Sequence, residues 1–261
     1  MLQLKKSIHL DSLRQPFKSA IVTAARLGAE AVEINGTREV RPGQMTRTAV
    51  RHIRKLLSDL NLKVSAIHFP TRMGYGDIQH LDQRIDATKS ALKMAYELGC
   101  QVVVNRVGKI PEETEDPRWI TMQQALTDIA NFSHKGGAWL AAKTGAESGE
   151  RLKSLIDVLP VHGLGVDFDP AELVINGFSP NDAMNTLAEH VLSCRARDAV
   201  TDLSLGRGVE VPMGQGSVDW PALLASLEER SYQGYMTVHN ESHENILASC
   251  SSAMSFLDSL F

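Results

Sequence analysis

The residues best equipped for chemistry in this 261-residue chain stand at or near the ends of short apolar runs. Asp167-Phe168-Asp169-Pro170 puts two carboxylates two positions apart, so on an extended strand they point to the same side. The pair suits a metal ligand or a general acid/base. It suits equally an Asp-Pro turn in which Asp169 caps the chain leaving the strand. Lys143 follows Trp139-Leu-Ala-Ala142. An amine there either pairs with Asp167 or Asp169 on the next run or serves as an electrophile or Schiff-base amine. Arg195 and Arg197, in Ser193-Cys-Arg-Ala-Arg-Asp198, share one side of their run. They read as a solvated loop start or as a clamp for a carboxylate or phosphate, at which arginine excels. Glu33, His68 and Asn105 are candidate substrate contacts on three earlier runs, and a carboxylate ending a buried strand must be paired or functional. His239 and Glu241 share one side of the last run, and with Glu147 and His68 they are the candidate bases.

These positions matter together only if the chain gathers them. Read in order, the run endings are His9, Glu33, His68, Asn105, Lys143, Asp169, Arg195 and His239. The runs read as strands at 3–9, 31–35, 64–68, 101–105, 138–143, 163–168, 191–195 and 234–239. Helical spacing follows each of them, at 14–27, 46–60, 81–98, 119–134, 148–158, 179–188, 220–230 and 243–259. Gly28 and Gly99 supply helix stops, and Gln101-Val-Val-Val-Asn105 has the composition of a strand buried on both faces. An acidic, proline-bracketed loop spans 109–118, and a long glycine-rich loop is expected over 199–219. Eight strand–helix pairs predict a single (β/α)8 barrel, a TIM barrel, whose strand ends converge on one face. An open doubly wound sheet would show a glycine-rich phosphate turn after strand one, and His9-Leu-Asp-Ser-Leu-Arg14 is not one.

Length and composition agree. About 250 residues is typical of one such barrel, and 43% hydrophobic residues provide a sizeable core. A net charge of −4 gives no footprint for nucleic acid. Three widely spaced cysteines without a C-x-x-C pair argue against a disulfide framework and for a reducing compartment. The N-terminus is not a signal sequence, and no apolar run approaches the ~20 residues that span a bilayer. The expectation is a soluble cytoplasmic protein acting on a small molecule, without membrane or nucleic-acid partners. Self-association into a homo-oligomer stays open.

Gly28-Ala-Glu-Ala-Val-Glu-Ile34, Asp169-Pro-Ala-Glu-Leu173, Arg195-Ala-Arg-Asp198, Met213-Gly-Gln-Gly-Ser-Val-Asp-Trp220 and Gly234-Tyr-Met-Thr-Val-His239 resemble the sugar phosphate isomerase/epimerase family. Its xylose isomerase-like barrel is shared by ketose 3-epimerases, hydroxypyruvate isomerases, inosose dehydratases and family-2 apurinic endonucleases. The resemblance covers nearly the whole chain. It implies a divalent ion (Mn, Mg or Zn) held by Glu, Asp, His and Glu at the ends of strands five to eight, two of the Glu residues also shuttling a proton through an enediolate. Asp169 matches the second position, whereas Lys143, Arg195 and His239 stand at the other three. Lysine and arginine offer no lone pair, so no cofactor is expected there. Asp167, Asp169, His239 and Glu241 are the donors from which a shifted metal site could be built.

The resemblance therefore implies a sugar, sugar-phosphate or polyol isomerase or epimerase that moves a proton beside a carbonyl without the family's metal. Lys143 and Arg195 would stabilise the enolate oxygen, and Asp169, His239, Glu241 and Glu147 complete the catalytic set. Arg195, Arg197 and the glycine-rich loop would favour an anionic substrate. The alternative is a barrel that binds a sugar-like ligand without turnover, with Lys143–Asp169 as a structural ion pair.

Overall fold

Hydrogen-bonding eight short parallel strands side by side leaves no free edge only if the sheet closes, and here it does. The computed structural model describes residues 4–38, 40–202, 207–240 and 245–260. The strands and helices are β1 (Lys5–His9), α1 (Phe17–Arg26), β2 (Ala31–Asn35), α2 (Arg47–Ser58), β3 (Lys63–His68), α3 (Leu81–Leu98) and β4 (Val102–Asn105). They continue with α4 (Pro117–Gly136), β5 (Trp139–Lys143), α5 (Gly149–Asp157), β6 (Gly165–Phe168), α6 (Pro170–Ile175), α7 (Pro180–Leu187) and β7 (Val191–Ala196). The last are β8 (Asp198–Asp202), β9 (Arg207–Val211), α8 (Trp220–Glu229), β10 (Tyr235–Val238) and α9 (Ile246–Ser259). The barrel order is β1-β10-β7-β6-β5-β4-β3-β2. This is the expected (β/α)8 architecture. Val103, Val104, Leu140 and Val166 are wholly buried, as strands covered by helices require.

Register then sets which polar residues share a level. His9 lies beside Glu33, Asn35 beside His68, Lys143 beside Asp167, and Arg195 beside Thr237. The ladder shifts at two places in the barrel, Val32/Glu33 against β3 and Val166/Asp167 against β7. Such irregularities re-aim side chains. These two fall at the pair of carboxylates that grip Arg195.

Two local expectations change. The stretch 199–219 is not simply a loop: β8 and β9 pair antiparallel from Asp198↔Val211 to Asp202↔Arg207. The β-branched Val200, Thr201, Val209 and Val211 carry that ribbon, which the surrounding glycines conceal in the sequence. The Asp-Pro turn is also the start of a helix. Pro170 occupies its first position, where a missing N–H costs nothing, and the Asp169 carboxylate accepts from Glu172 N at 3.0 Å. Among the described residues no helix is long and apolar enough to cross a membrane.

Candidate active site

At the C-terminal mouth of the barrel the interior is ionic. Arg195, wholly buried, donates from Nε to Asp167 Oδ2 at 2.8 Å and from Nη1 to Glu33 Oε1 at 2.8 Å. Ser193 Oγ donates to the other Asp167 oxygen at 2.5 Å, and His9 Nδ1 meets Glu33 Oε1 at 2.6 Å. Burial works to raise the Glu33 carboxyl, but Arg195 and His9 outweigh it and hold it below the usual carboxylate range. Asp167 goes the other way: burial raises it, and the shared guanidinium only partly offsets that. Arg195 stays charged because its two carboxylates outweigh its own burial.

Above this triad lie three imidazoles. The His9 ring sits 4.4 Å from that of His239 and 5.2 Å from that of His68, centroid to centroid. Burial, reinforced by His9, pushes His68 and His239 well below the ordinary histidine range, so both rings are neutral at pH 7. Glu33 Oε2 and His68 Nδ1 are buried and have no hydrogen-bond partner among the described residues.

A second ionic network runs from β5 to the hairpin. Asp169, wholly buried, receives Lys143 Nζ at 3.0 Å and Arg197 Nη1 at 2.7 Å on one oxygen. Lys143 also reaches Glu172 Oε2 at 3.5 Å, and Arg197 reaches Glu210 Oε2 at 2.8 Å. Burial works to raise the Asp169 carboxyl, but Arg197 and Lys143 outweigh it and hold it below its usual range. Thr144 ties the strand ends together, its Oγ1 accepting from Asp169 N at 2.8 Å.

Lys143 and Thr144 line a cavity of about 270 Å³ that also takes in Arg72, Arg106, Lys109 and Glu147. Arg72, Arg106 and Lys109 are exposed, so the cavity mouth is cationic. Glu147 is only 9% exposed, and burial pushes its carboxyl up to about 7. The chain bends into this position at Gly145, whose φ of +119° suits glycine and where a Cβ would meet Glu172 Cγ at 2.2 Å. A larger cavity of about 610 Å³ opens at the opposite, strand N-terminal end, bordered by Lys63, Gln101, Trp139 and Tyr235. Size does not decide between them: the buried ionic groups lie at the smaller one, on the face where barrels of this kind place their chemistry.

The sequence-based candidates therefore separate. Lys143, Asp169, Glu33, His68, Arg195, Arg197 and His239 gather at the mouth, and Glu147 joins Lys143 in the cavity. The two arginines are not a solvated loop start, and both are engaged by carboxylates of this chain. Arg195 is closed in by Glu33 and Asp167, while Arg197, 3% exposed, spans Asp169, Glu172 and Glu210. Exposed cations come instead from the β3 and β4 loops. Asn105 is turned inward, its amide donating to the Tyr75 hydroxyl at 2.9 Å and accepting from Thr71 N at 3.2 Å, which pins two loops together. Glu241 lies outside the described residues. Sequence reasoning named His9 as the first run ending without giving it a role, and passed over Glu172, though Asp169-x-x-Glu172 has capping-box spacing.

The four positions at which the family resemblance puts a metal do not fit one. Lys143 and Arg195 present only donors, and Asp169 is saturated by two cations and a backbone amide. His239 alone contributes no cage, since its Nδ1 lies 3.4 Å from Arg195 Nη1.

Comparison with known proteins agrees with the barrel. The chain superposes with a TM-score of 0.85 on a xylose isomerase domain protein from Planctomyces limnophilus, at 22% identity, covering 99% of this chain and 96% of that one. A probable 3-DHS dehydratase of petrobactin synthesis from Bacillus anthracis matches at TM-score 0.78 and 14% identity, covering 98% and 99% of the two chains. A D-psicose 3-epimerase with D-tagatose from Clostridium cellulolyticum H10 matches at TM-score 0.76 and 13% identity, covering 98% of each. No curated protein sequence matches the chain significantly. The family profile described as xylose isomerase-like TIM barrel spans residues 21–260. The chain belongs to the xylose isomerase-like TIM-barrel family.

Proposed function

We propose that this barrel is an isomerase or epimerase of a small anionic sugar derivative, moving a proton beside a carbonyl without an ion at the family's metal position. The observation that carries this reading is Glu147, a buried carboxyl pushed up to about 7 in the same cavity as the Lys143 ammonium. A base near neutrality is half ionised at working pH and can both take and return a proton. Glu147 would remove the proton from the carbon beside the carbonyl. The C–H electron pair becomes the new carbon–carbon double bond, and the carbonyl π pair moves onto oxygen. Lys143, fixed by Asp169 and Glu172, faces that oxygen with a preorganised positive charge. Transfer of the neighbouring hydroxyl's proton to the enolate oxygen, with return of the carbon-bound proton to the former carbonyl carbon, makes that hydroxyl the new carbonyl and gives the isomer. Delivery of a proton from a second donor to the opposite face of the same carbon gives the epimer.

The cationic rim selects the substrate. Arg72, Arg106 and Lys109 surround a cavity of about 270 Å³, near the lower end of ligand-site volumes, and favour a phosphate or carboxylate on a small chain. The neighbours named as 3-epimerases support the sugar assignment by likeness of fold. A binding barrel without turnover is the second reading, favoured by the close Lys143–Asp169 pair.

Solvent-deuterium exchange into a panel of ketoses and their phosphates separates the two. Turnover puts deuterium on the carbon beside the carbonyl, and Lys143→Ala abolishes the exchange. Calorimetric binding without exchange leaves the binding barrel and ends the enzyme reading.

A further inference from the structure

Beyond the Lys143–Glu147 cavity, the ends of β1, β2 and β3 converge on groups that the proton transfer does not use. His9, Glu33 and His68 each offer one donor atom, and the three atoms lie within 4.8 Å of one another. The strands are adjacent in the barrel, with His9 in register with Glu33 and His68 with Asn35. Glu33 is wholly buried, yet among the described residues its Oε2 has no partner, and His68 Nδ1 is buried without one as well. A carboxylate oxygen taken from water and left unpaired is costly unless something occupies the space it faces.

We propose that His9, Glu33 and His68 form a binding site for a divalent transition-metal ion, separate from the Lys143, Asp169, Arg195 and His239 positions. Two imidazoles and a carboxylate are the donor set of zinc, iron, cobalt, nickel or manganese sites rather than of magnesium or calcium, which prefer oxygen throughout. Donors about 2.1 Å from a tetrahedral ion are about 3.4 Å apart. The triangle closes on an ion by moving each side no more than about 1.4 Å, which rotation of the two imidazole rings supplies. Arg195 already holds Glu33 through the other oxygen, as outer-shell groups hold metal-binding carboxylates. Its positive charge is countered on the far side by Asp167, so it does not face the ion unpaired. An ion there would supply a Lewis acid on the β1–β3 side of the mouth. The site is read by metal binding alone and stands whether or not the barrel turns over a sugar.

The test is titration of chelator-treated protein with Co²⁺, followed by visible absorption and by competition with Zn²⁺. One equivalent of Co²⁺ giving a ligand-field band that Zn²⁺ removes is the expected result. His68→Ala, at the most exposed of the three, eliminates the band, and His9→Ala weakens binding at least about tenfold. Asp169→Asn leaves it. If either histidine variant fails to fold, paramagnetically shifted imidazole resonances from two histidines in the wild-type Co²⁺ protein give the same answer. Absence of a stoichiometric band in folded wild-type protein overturns the site. So does a band that survives His68→Ala, or one that Asp169→Asn destroys while the protein remains folded, which would place the ion at the family position.

Discussion

Replacing Glu147 by glutamine separates burial from charge at the proposed base. An unfolded glutamate titrates near 4.5, and burial moves Glu147 to about 7 in the folded chain. Below pH 4.5 both states are protonated and the residue has no pH-linked effect. Between the two values the unfolded chain ionises while the folded chain does not, so stability falls as pH rises. At 1.36 kcal/mol per pKa unit, the interval corresponds to a loss of about 3 kcal/mol that is complete above pH 7. Glutamine cannot ionise and still accepts through its carbonyl oxygen. Glu147→Gln is therefore expected to match wild type in urea unfolding at pH 4 and to exceed it by up to about 3 kcal/mol at pH 8. The same variant loses deuterium exchange, giving a more stable and inactive protein. A stability difference independent of pH, or a variant less stable at pH 8, would refute the reasoning.

Arg195→Met leaves Glu33 and Asp167 buried without their shared cation, and should cost about 3–5 kcal/mol by chemical denaturation. The deficit should be larger at pH 8 than at pH 5, where protonation relieves the stranded carboxylates; a loss below about 1 kcal/mol at pH 8 would contradict a paired interior. Gly145→Ala combines a positive φ with a Cβ driven onto Glu172, and should lower stability by about 1–3 kcal/mol in thermal or urea unfolding. An unchanged midpoint would show that the β5–α5 turn is not as described. Paired replacement of Arg72 and Lys109 by serine should weaken binding of phosphorylated or carboxylated sugars at least about tenfold while leaving neutral sugars unchanged. Equal effects on both, measured calorimetrically, would remove the cationic rim from recognition.

The barrel was legible because its signals are local and repeated. Each apolar run stops at a polar residue, and helical spacing resumes within a loop's length, as from Gln101–Asn105 to the helix beginning at Pro117. The hairpin of β8 and β9 was not, since its glycines mask a β-branched alternation that matters only once the two segments face each other. At the site, residue type was readable but partnership was not. Arg195 looks the same in sequence whether it meets solvent or lies between Glu33 and Asp167. The choice depends on β2, far from it along the chain, on the preceding barrel strand β6, and on the register shifts at Glu33 and Asp167. Lys143 and Asp169 come out as neighbours because consecutive parallel strands place their ends side by side, which the order of elements already dictates. Asn105 illustrates the reverse error. A polar residue at a strand end can spend both sides of its amide holding loops, here through Tyr75 and Thr71.

The central claim is proton transfer at a site where Lys143 replaces the family's ion, and the most direct measurement is deuterium incorporation by chelator-treated protein. Wild-type protein stripped of metal should place solvent deuterium on the carbon beside the carbonyl of a phosphorylated or carboxylated ketose. The rate should rise with pH through a midpoint near 7 as Glu147 ionises. Exchange that vanishes on chelation and returns with a divalent ion would contradict it, as would binding of every substrate in the panel with no exchange at any pH.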